Sequence, residues 1–321
     1  MIRVFLIGVV EAGSTIFEFA ECYLTKRSCD MNDNRHYRNQ RLRFDKPFAS
    51  CGIVMLLATG VSMSDERETR LPATTTVAFR VARHGDRILV PVTTLGKERA
   101  FLLNTGAPIA LYDTSLESQL TKIGIGETPG EPDFPIYETP SASIGPFKLC
   151  NSPIVAGNLR RIRETSGEPL FGVIGMNDLS KMILQIDFDE GLCRFTQTIN
   201  GDLGESIDLL FDEEGFPMAK VRLNSISTAD MKIDTGFSSD CALSAKLFDT
   251  LTDNGDITLR YRSKFLSLAG TESRQIGSLK TISLGKHTHT EVSVARTGDS
   301  NLVGLGYLSR YLGINETLGV W

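Results

Sequence analysis

The sequence predicts an all-β protein of two tandem, similar lobes with a cleft between them and one short helix per lobe. Three observations carry that expectation. The 321 residues exceed the ~100–200 residues of one usual domain. Gly is frequent at 29 residues while aromatics reach only 8%, with one Trp; that balance favours turn-separated strands over a helical bundle. Two motifs also recur along the chain at one constant spacing. The hydrophobic share of 41% and charged share of 23% are ordinary for globular chains, which excludes whole-chain disorder and fibrous repeats. A net charge of −5 gives no electrostatic footprint for nucleic acid.

The first element is a leader over residues 1–70. Residues 1–63 hold 8 Lys/Arg against 6 Asp/Glu, so the negative charge lies downstream. Within it runs PFASCGIVMLLATGVSMS, Pro47 to Ser64, preceded by Arg41, Arg43 and Lys46. A basic flank, a short apolar stretch and small residues at its end describe a secretory signal peptide. The run is shorter than the ~20 residues a bilayer span normally needs. It is also internal, and a start at Met31 would turn the preceding basic residues into its leader. The expectation is export or membrane anchoring through residues 47–64, with a buried helix and a cytoplasmic chain as the competing reading. Cys22, Cys29 and Cys51 fall in this part, leaving Cys150, Cys193 and Cys241 in the body. An odd count without C-x-x-C indicates buried thiols rather than a disulfide scaffold or zinc ribbon.

From about Thr74 the chain reads as short strands. RILVPVTTL (87–95) alternates, RAFLLNTGAPIALYD (99–113) is apolar, and 125–141 is too rich in Pro and Gly for a helix. SASIG and FKLCNSPIVAG give further strand candidates. FGVIGMNDLSKMILQIDFDEGLCRF (171–195) closes with strand, turn and strand.

The repeat emerges when RAFLLNTGAPIALYDTSLESQL is set beside ADMKIDTGFSSDCALSAKLFDTL. Each reads as an apolar strand, Asn/Asp-Thr-Gly, a second apolar pair and a short amphipathic helix beginning near Ser. Asn104 and Asp234 stand 130 residues apart. VIGMNDLSKMI (173–183) and VGLGYLSRYLGI (303–314) match at a separation of 129. Two motifs at one spacing imply a duplication, with lobe one at 71–200, lobe two at 201–321 and the boundary near Asn200–Glu205.

Asp-Thr-Gly at a strand end has a mechanical logic. Gly106 and Gly236 allow two loops to approach closely. Thr105 and Thr235 can bond backbone across the pair, and an Asp presents a carboxylate where the loops meet. Two such carboxylates share one proton, because like charges about 3 Å apart cannot both ionise. One then serves as general base on a water while the protonated partner polarises a carbonyl.

These paired segments, with Val173-Ile174-Gly175 and Leu302-Val303-Gly304, resemble the bilobal aspartic peptidases. The short lobes and the Leu-Ser-Lys/Arg turn before ILQIDF are similar to bacterial retropepsin-like aspartyl proteases with two fused lobes, over about 75–321. The resemblance implies a floor made by Asn104-Thr105-Gly106 and Asp234-Thr235-Gly236, supported from below by the strands carrying Gly175 and Gly304. It further implies an extended polypeptide ligand, no cofactor and no metal, and a hairpin flap for which 125–145 is the candidate.

Asn104 departs from that pattern, which requires Asp. Asn offers two donors and an acceptor but does not titrate, so Asp234 lacks a carboxylate neighbour and dyad activation fails, while the near-isosteric side chain preserves the fold. Three accounts follow. The chain is a degenerate peptidase that still binds extended peptides. Or it is an active endopeptidase through Asp234 and a second acid, such as Asp113 or a deamidated Asn104, although the flanking Thr105 makes spontaneous deamidation slow. Or it is a structural or interaction module to which the cleft is irrelevant.

Other patterns carry less. His287 and His289 share one strand face without a third ligand nearby. Gly304-Leu-Gly306 lacks the third glycine and the βαβ context of a dinucleotide loop. Asp187 and Asp189 read as hairpin-turn residues.

Overall fold

Alternation sets the first hairpin. In Leu89–Thr94 the residues Val90, Val92 and Thr94 turn inward, and in Lys97–Leu103 Arg99, Phe101 and Leu103 do the same, as a half-buried strand requires. The strands pair antiparallel around a two-residue turn, Leu95-Gly96, in which both residues have positive φ, the geometry that matches strand twist. Phe101 packs edge-to-face on Tyr112 at 5.0 Å between centroids.

The computed structural model describes residues 87–127, 134–149, 152–188, 190–196, 207–224, 227–268 and 270–312, with the strand backbones Phe5–Ile7, Leu42–Arg43 and Thr76–Arg80. Met31, the 47–64 run, Cys150, Asp189 and the boundary at 200–205 lie outside the described residues. Among the described residues no helix is long and apolar enough to cross a membrane.

Among the described residues the protein is mostly β, in three sheets. A ten-stranded sheet has Lys97–Leu103, Leu170–Ile174 and Leu111–Asp113 side by side at its centre. An eight-stranded sheet places Thr228–Asp234, Leu302–Gly304 and Cys241–Ser244 in the same relation. In each, the third segment in sequence runs parallel to the first and antiparallel to the second. A four-stranded sheet joins Phe5–Ile7, Ile183–Asp187, Leu192–Thr196 and Thr76–Arg80. Two of its short partners and the Leu42–Arg43 strand come from the N-terminal quarter of the chain. One buried cluster runs through both large sheets, from Val90, Phe101 and Ile174 to Ile233, Leu243 and Val303.

Among the described residues helices are few and short, yet more than one per half. Thr114–Gln119 is 3₁₀, followed by Arg160–Ser166 and Met176–Leu179; Ala245–Asp253, Leu305–Leu308 and the 3₁₀ turn Ser309–Leu312 follow in the second half. The expectation of a single helix per half is corrected here. Arg160–Ser166 buries no residue, so it carries no apolar periodicity, and a four-residue turn is too short to show one.

Candidate active site

Asn104 and Asp234 both stand at the C-terminal ends of central strands. Leu103 and Ile233 just before them point into the core, which turns Asn104 and Asp234 to the opposite face, where both remain partly open to solvent. The chain must then reverse within two residues, and Thr-Gly does so in each loop.

The strands ending in Gly175 and Gly304 brace the loops. Val173 and Ile174 pair with Leu102 and Leu103, and Val303 and Gly304 with Ile233 and Asp234. The Asn104 N–H donates to Ile174 O at 3.0 Å. Beyond each strand, helix-start N–H groups reach the outgoing arm of the loop: Met176 to Ala107 O and Leu305 to Phe237 O, both at 2.8 Å.

The two threonines lock the loops together. The Thr105 N–H donates to Thr235 Oγ1 at 3.0 Å, and the Thr235 N–H donates to Thr105 Oγ1 at 3.0 Å. Each hydroxyl then donates to the strand before the other loop, Thr105 to Ile233 O at 2.7 Å and Thr235 to Leu103 O at 3.0 Å. Both residues are buried, at 1% and 0% exposure, so every polar atom in the lock is satisfied without water, as burial demands.

The glycines complete the approach. The Gly106 N–H donates to Asn104 Oδ1 at 2.7 Å and the Gly236 N–H to Asp234 Oδ1 at 2.8 Å. A Cβ on Gly106 would lie 2.5 Å from Asp234 Oδ2, and one on Gly236 would lie 2.6 Å from Asn104 Oδ1. Each glycine therefore touches its own loop's side chain through N–H and the opposite loop's through Cα.

Burial pushes the Asp234 carboxyl above the usual carboxylate range; the Gly236 N–H and the charge of Lys232 act against it. Lys232 lies two residues earlier on the same strand face, its ammonium 3.1 Å from the Phe216 ring centroid. Burial lowers the lysine, opposed by Asp212, Asp234 and Glu214. The repeat mate of Lys232 is Leu102, so the floor pairs a neutral arm with a charged one. That difference was visible in LLNTG against KIDTG, and the sequence reading passed over it.

Asp113 has other employment. Its Oδ1 accepts from Ser115 N at 3.0 Å; its Oδ2 accepts from Leu159 N at 2.9 Å and pairs with Arg163 at 2.7 Å. Burial works to raise this carboxyl, but the bonds from Ser115, Arg163 and Leu159 outweigh it and hold it low. Oδ1 thus caps the Thr114–Gln119 turn and Oδ2 ties the strand end to the Arg160–Ser166 helix, so both Asp113 oxygens are occupied away from Asp234.

His287 and His289 fall on the His287–Thr297 strand, with His289 edge-on to Tyr307 at 5.3 Å. Asp187 accepts from Glu190 N at 2.8 Å in its hairpin turn. Cys193 and Cys241 are buried free thiols. Among the described residues no group of three or more His, Cys, Asp or Glu could hold a metal ion.

A long hairpin in the second half went unforeseen. Ile257–Ser267 and Gly270–Leu284 pair antiparallel, and Phe265 stacks on Phe237, the residue after Gly236, at 6.0 Å. Phe237 and Phe265 are far apart in sequence, so no local pattern announces the contact. In the first half, the 125–145 segment supplies the end of Lys122–Glu127, which pairs antiparallel with Phe134–Tyr137, and the separate strand Ala142–Ile144.

Among solved structures the chain is similar to a retropepsin-like aspartic protease from Rickettsia conorii, at 15% identity and a TM-score of 0.28, covering 38% of this chain and 90% of that one. No family model and no curated protein matches the chain.

Proposed function

We propose that this chain is an aspartic-peptidase homologue that binds extended polypeptide in a cleft between two lobes and, with Asn104 in place of a carboxylate, hydrolyses it poorly. The observation that carries the reading is the reciprocal Thr105–Thr235 lock, which brings Asn104 and Asp234 to one floor. A lone carboxylate can orient a water but has no protonated partner to polarise the scissile carbonyl. The Asn104 amide fills that position with N–H donors that do not titrate. An extended ligand would bind largely through main-chain hydrogen bonds, with the Ile257–Leu284 hairpin, anchored by Phe265 on Phe237, as its cover. Export or membrane anchoring through residues 47–64 belongs to the same proposal.

The test is peptide hydrolysis by wild type and Asn104→Asp from acid to neutral pH. Pepstatin-sensitive cleavage gained in Asn104→Asp and lost again on adding Asp234→Asn is the expected result. Absence of cleavage in Asn104→Asp, with no retention of labelled peptides by wild type, would sink the reading.

A further inference from the structure

We propose that the site acts once on itself: Asp234 directs the hydrolysis of the Asn104 side-chain amide, converting Asn104 to Asp and completing the carboxylate pair in place. The proposal rests on the reading of this floor as a peptidase-like site and adds a regulatory step to it, a chain made latent and matured by one amide cleavage.

The arrangement supplies the parts an amide hydrolysis needs. The electrophile is held and polarised, since Asn104 Oδ1 accepts the Gly106 N–H at 2.7 Å. That N–H is equally placed to stabilise the oxyanion that forms on Oδ1. The base is adjacent, because the same two glycines touch both groups: Gly236 donates to Asp234 Oδ1 at 2.8 Å, and its Cα packs against the Asn104 amide. Burial raises the Asp234 carboxyl, which makes its carboxylate a better proton acceptor. Asn104 is partly exposed, and the reaction takes its water from solvent.

The chemistry balances with water alone. A water oxygen bonds to Cγ of Asn104 as Asp234 takes one of its protons. The Cγ–Nδ2 bond then breaks, the nitrogen takes that proton back, and ammonia leaves. One amide and one water give one carboxylic acid and one ammonia, and Asp234 returns to its starting state. The substrate is a primary amide within the chain, and the reaction runs once per molecule.

The ordinary route to the same product is closed. Spontaneous deamidation needs the following backbone nitrogen, here Thr105 N, to attack the side-chain carbonyl carbon. Thr105 is buried and its N–H is given to Thr235 Oγ1 at 3.0 Å, so the nitrogen cannot turn onto Cγ without breaking the lock. A succinimide would also open partly to isoaspartate, whereas direct hydrolysis gives aspartate alone. The product therefore reports the route.

The test ages the purified full-length chain in water enriched in heavy oxygen and follows the peptide containing residue 104 by mass spectrometry. Wild type, Asp234→Asn and Asp234→Ala are compared, with circular dichroism to show that the variants are folded and a denatured sample as background. The expected result is conversion of wild type to aspartate with one heavy oxygen and no isoaspartate. Conversion should be roughly a hundredfold slower in both Asp234 variants, the scale of a lost general base. Isoaspartate in the product, or equal rates in folded wild type and variants, overturns the proposal. So does an unconverted wild type beside an Asn104→Asp variant that cleaves peptides, an outcome that leaves the peptidase reading standing. An Asn104→Asp variant that neither cleaves nor retains peptides removes that reading, and the proposal with it.

Discussion

Asn104 and Asp234 hold reciprocal positions: each side chain accepts the N–H of its own loop's glycine and packs against the Cα of the other's. The relation is close to symmetric in geometry and asymmetric in chemistry. An amide occupies one side, and the other holds a carboxylate with a lysine beside it. Because the hydrogen bonds on both sides are the ones a carboxylate oxygen would accept, exchange of Asn104 for Asp alters titration without requiring the loops to move.

A methyl group at either glycine should break this reciprocity. In Gly106→Ala the new Cβ would lie 2.5 Å from Asp234 Oδ2 and closer to its carboxyl carbon. Overpacking of this kind costs about 1–3 kcal/mol. Gly106→Ala should therefore lower the unfolding midpoint and expel the Asp234 carboxyl from its seat, abolishing any activity gained by Asn104→Asp. Calorimetry and peptide cleavage on the double variant check both effects; an unchanged midpoint with retained cleavage would contradict the geometry.

Thr105→Val keeps the shape of the side chain and removes its hydroxyl. The Thr235 N–H loses its acceptor and Ile233 O loses its donor, both in a buried setting. Each orphaned group costs about 1–3 kcal/mol, so Thr105→Val should be markedly destabilised. Thr105→Ser, which retains both bonds, should lose much less. Denaturant unfolding of the two variants distinguishes a working lock from incidental contact, for which both losses would be small and alike.

The lock was legible because the Asn/Asp-Thr-Gly motif occurs twice: Thr105 and Thr235 stand 130 residues apart, as do Asn104 and Asp234. The alternation in 87–95 likewise became the Leu89–Thr94 strand, since one buried face fixes a period of two. What stayed hidden depends on long-range packing. The Phe237–Phe265 stack and the Lys232–Phe216 contact join residues whose own neighbourhoods give no hint of each other. Asp113, considered as a second acid, was unreadable for the same reason, because Arg163 is supplied by a distant helix with no apolar periodicity.

Asp113 yields a prediction with a definite sign. Its carboxyl is held low in the folded chain, so the folded state binds its proton less readily than the unfolded state. The stabilisation is full above the ordinary carboxylate range and fades as pH falls through the lower, folded value. Asp113→Asn should destabilise the protein at neutral pH, and the deficit should shrink in acid. Unfolding midpoints measured across that range test this; a deficit independent of pH would assign the loss to packing instead of charge.

Asp234 predicts the opposite dependence. Its carboxyl is raised in the folded chain, by burial first, with the Gly236 N–H and Lys232 only partly offsetting it. Below the ordinary carboxylate range both folded and unfolded chains carry the proton and the group contributes nothing. As pH rises through that range the unfolded chain ionises first, so stability falls until the folded carboxyl ionises as well, and the cost then stays constant. Asp234→Asn never ionises and can still accept the Gly236 N–H. It should therefore unfold at a higher midpoint than wild type at neutral pH, with the two converging in acid. The same substitution removes the carboxylate from the floor, so the variant should gain stability and, in the Asn104→Asp background, lose any cleavage gained there, the trade expected of a buried charge kept for chemistry. Lower stability in Asp234→Asn at neutral pH would show that Lys232 and the loop N–H groups overcompensate burial, and that this carboxylate is a structural anchor.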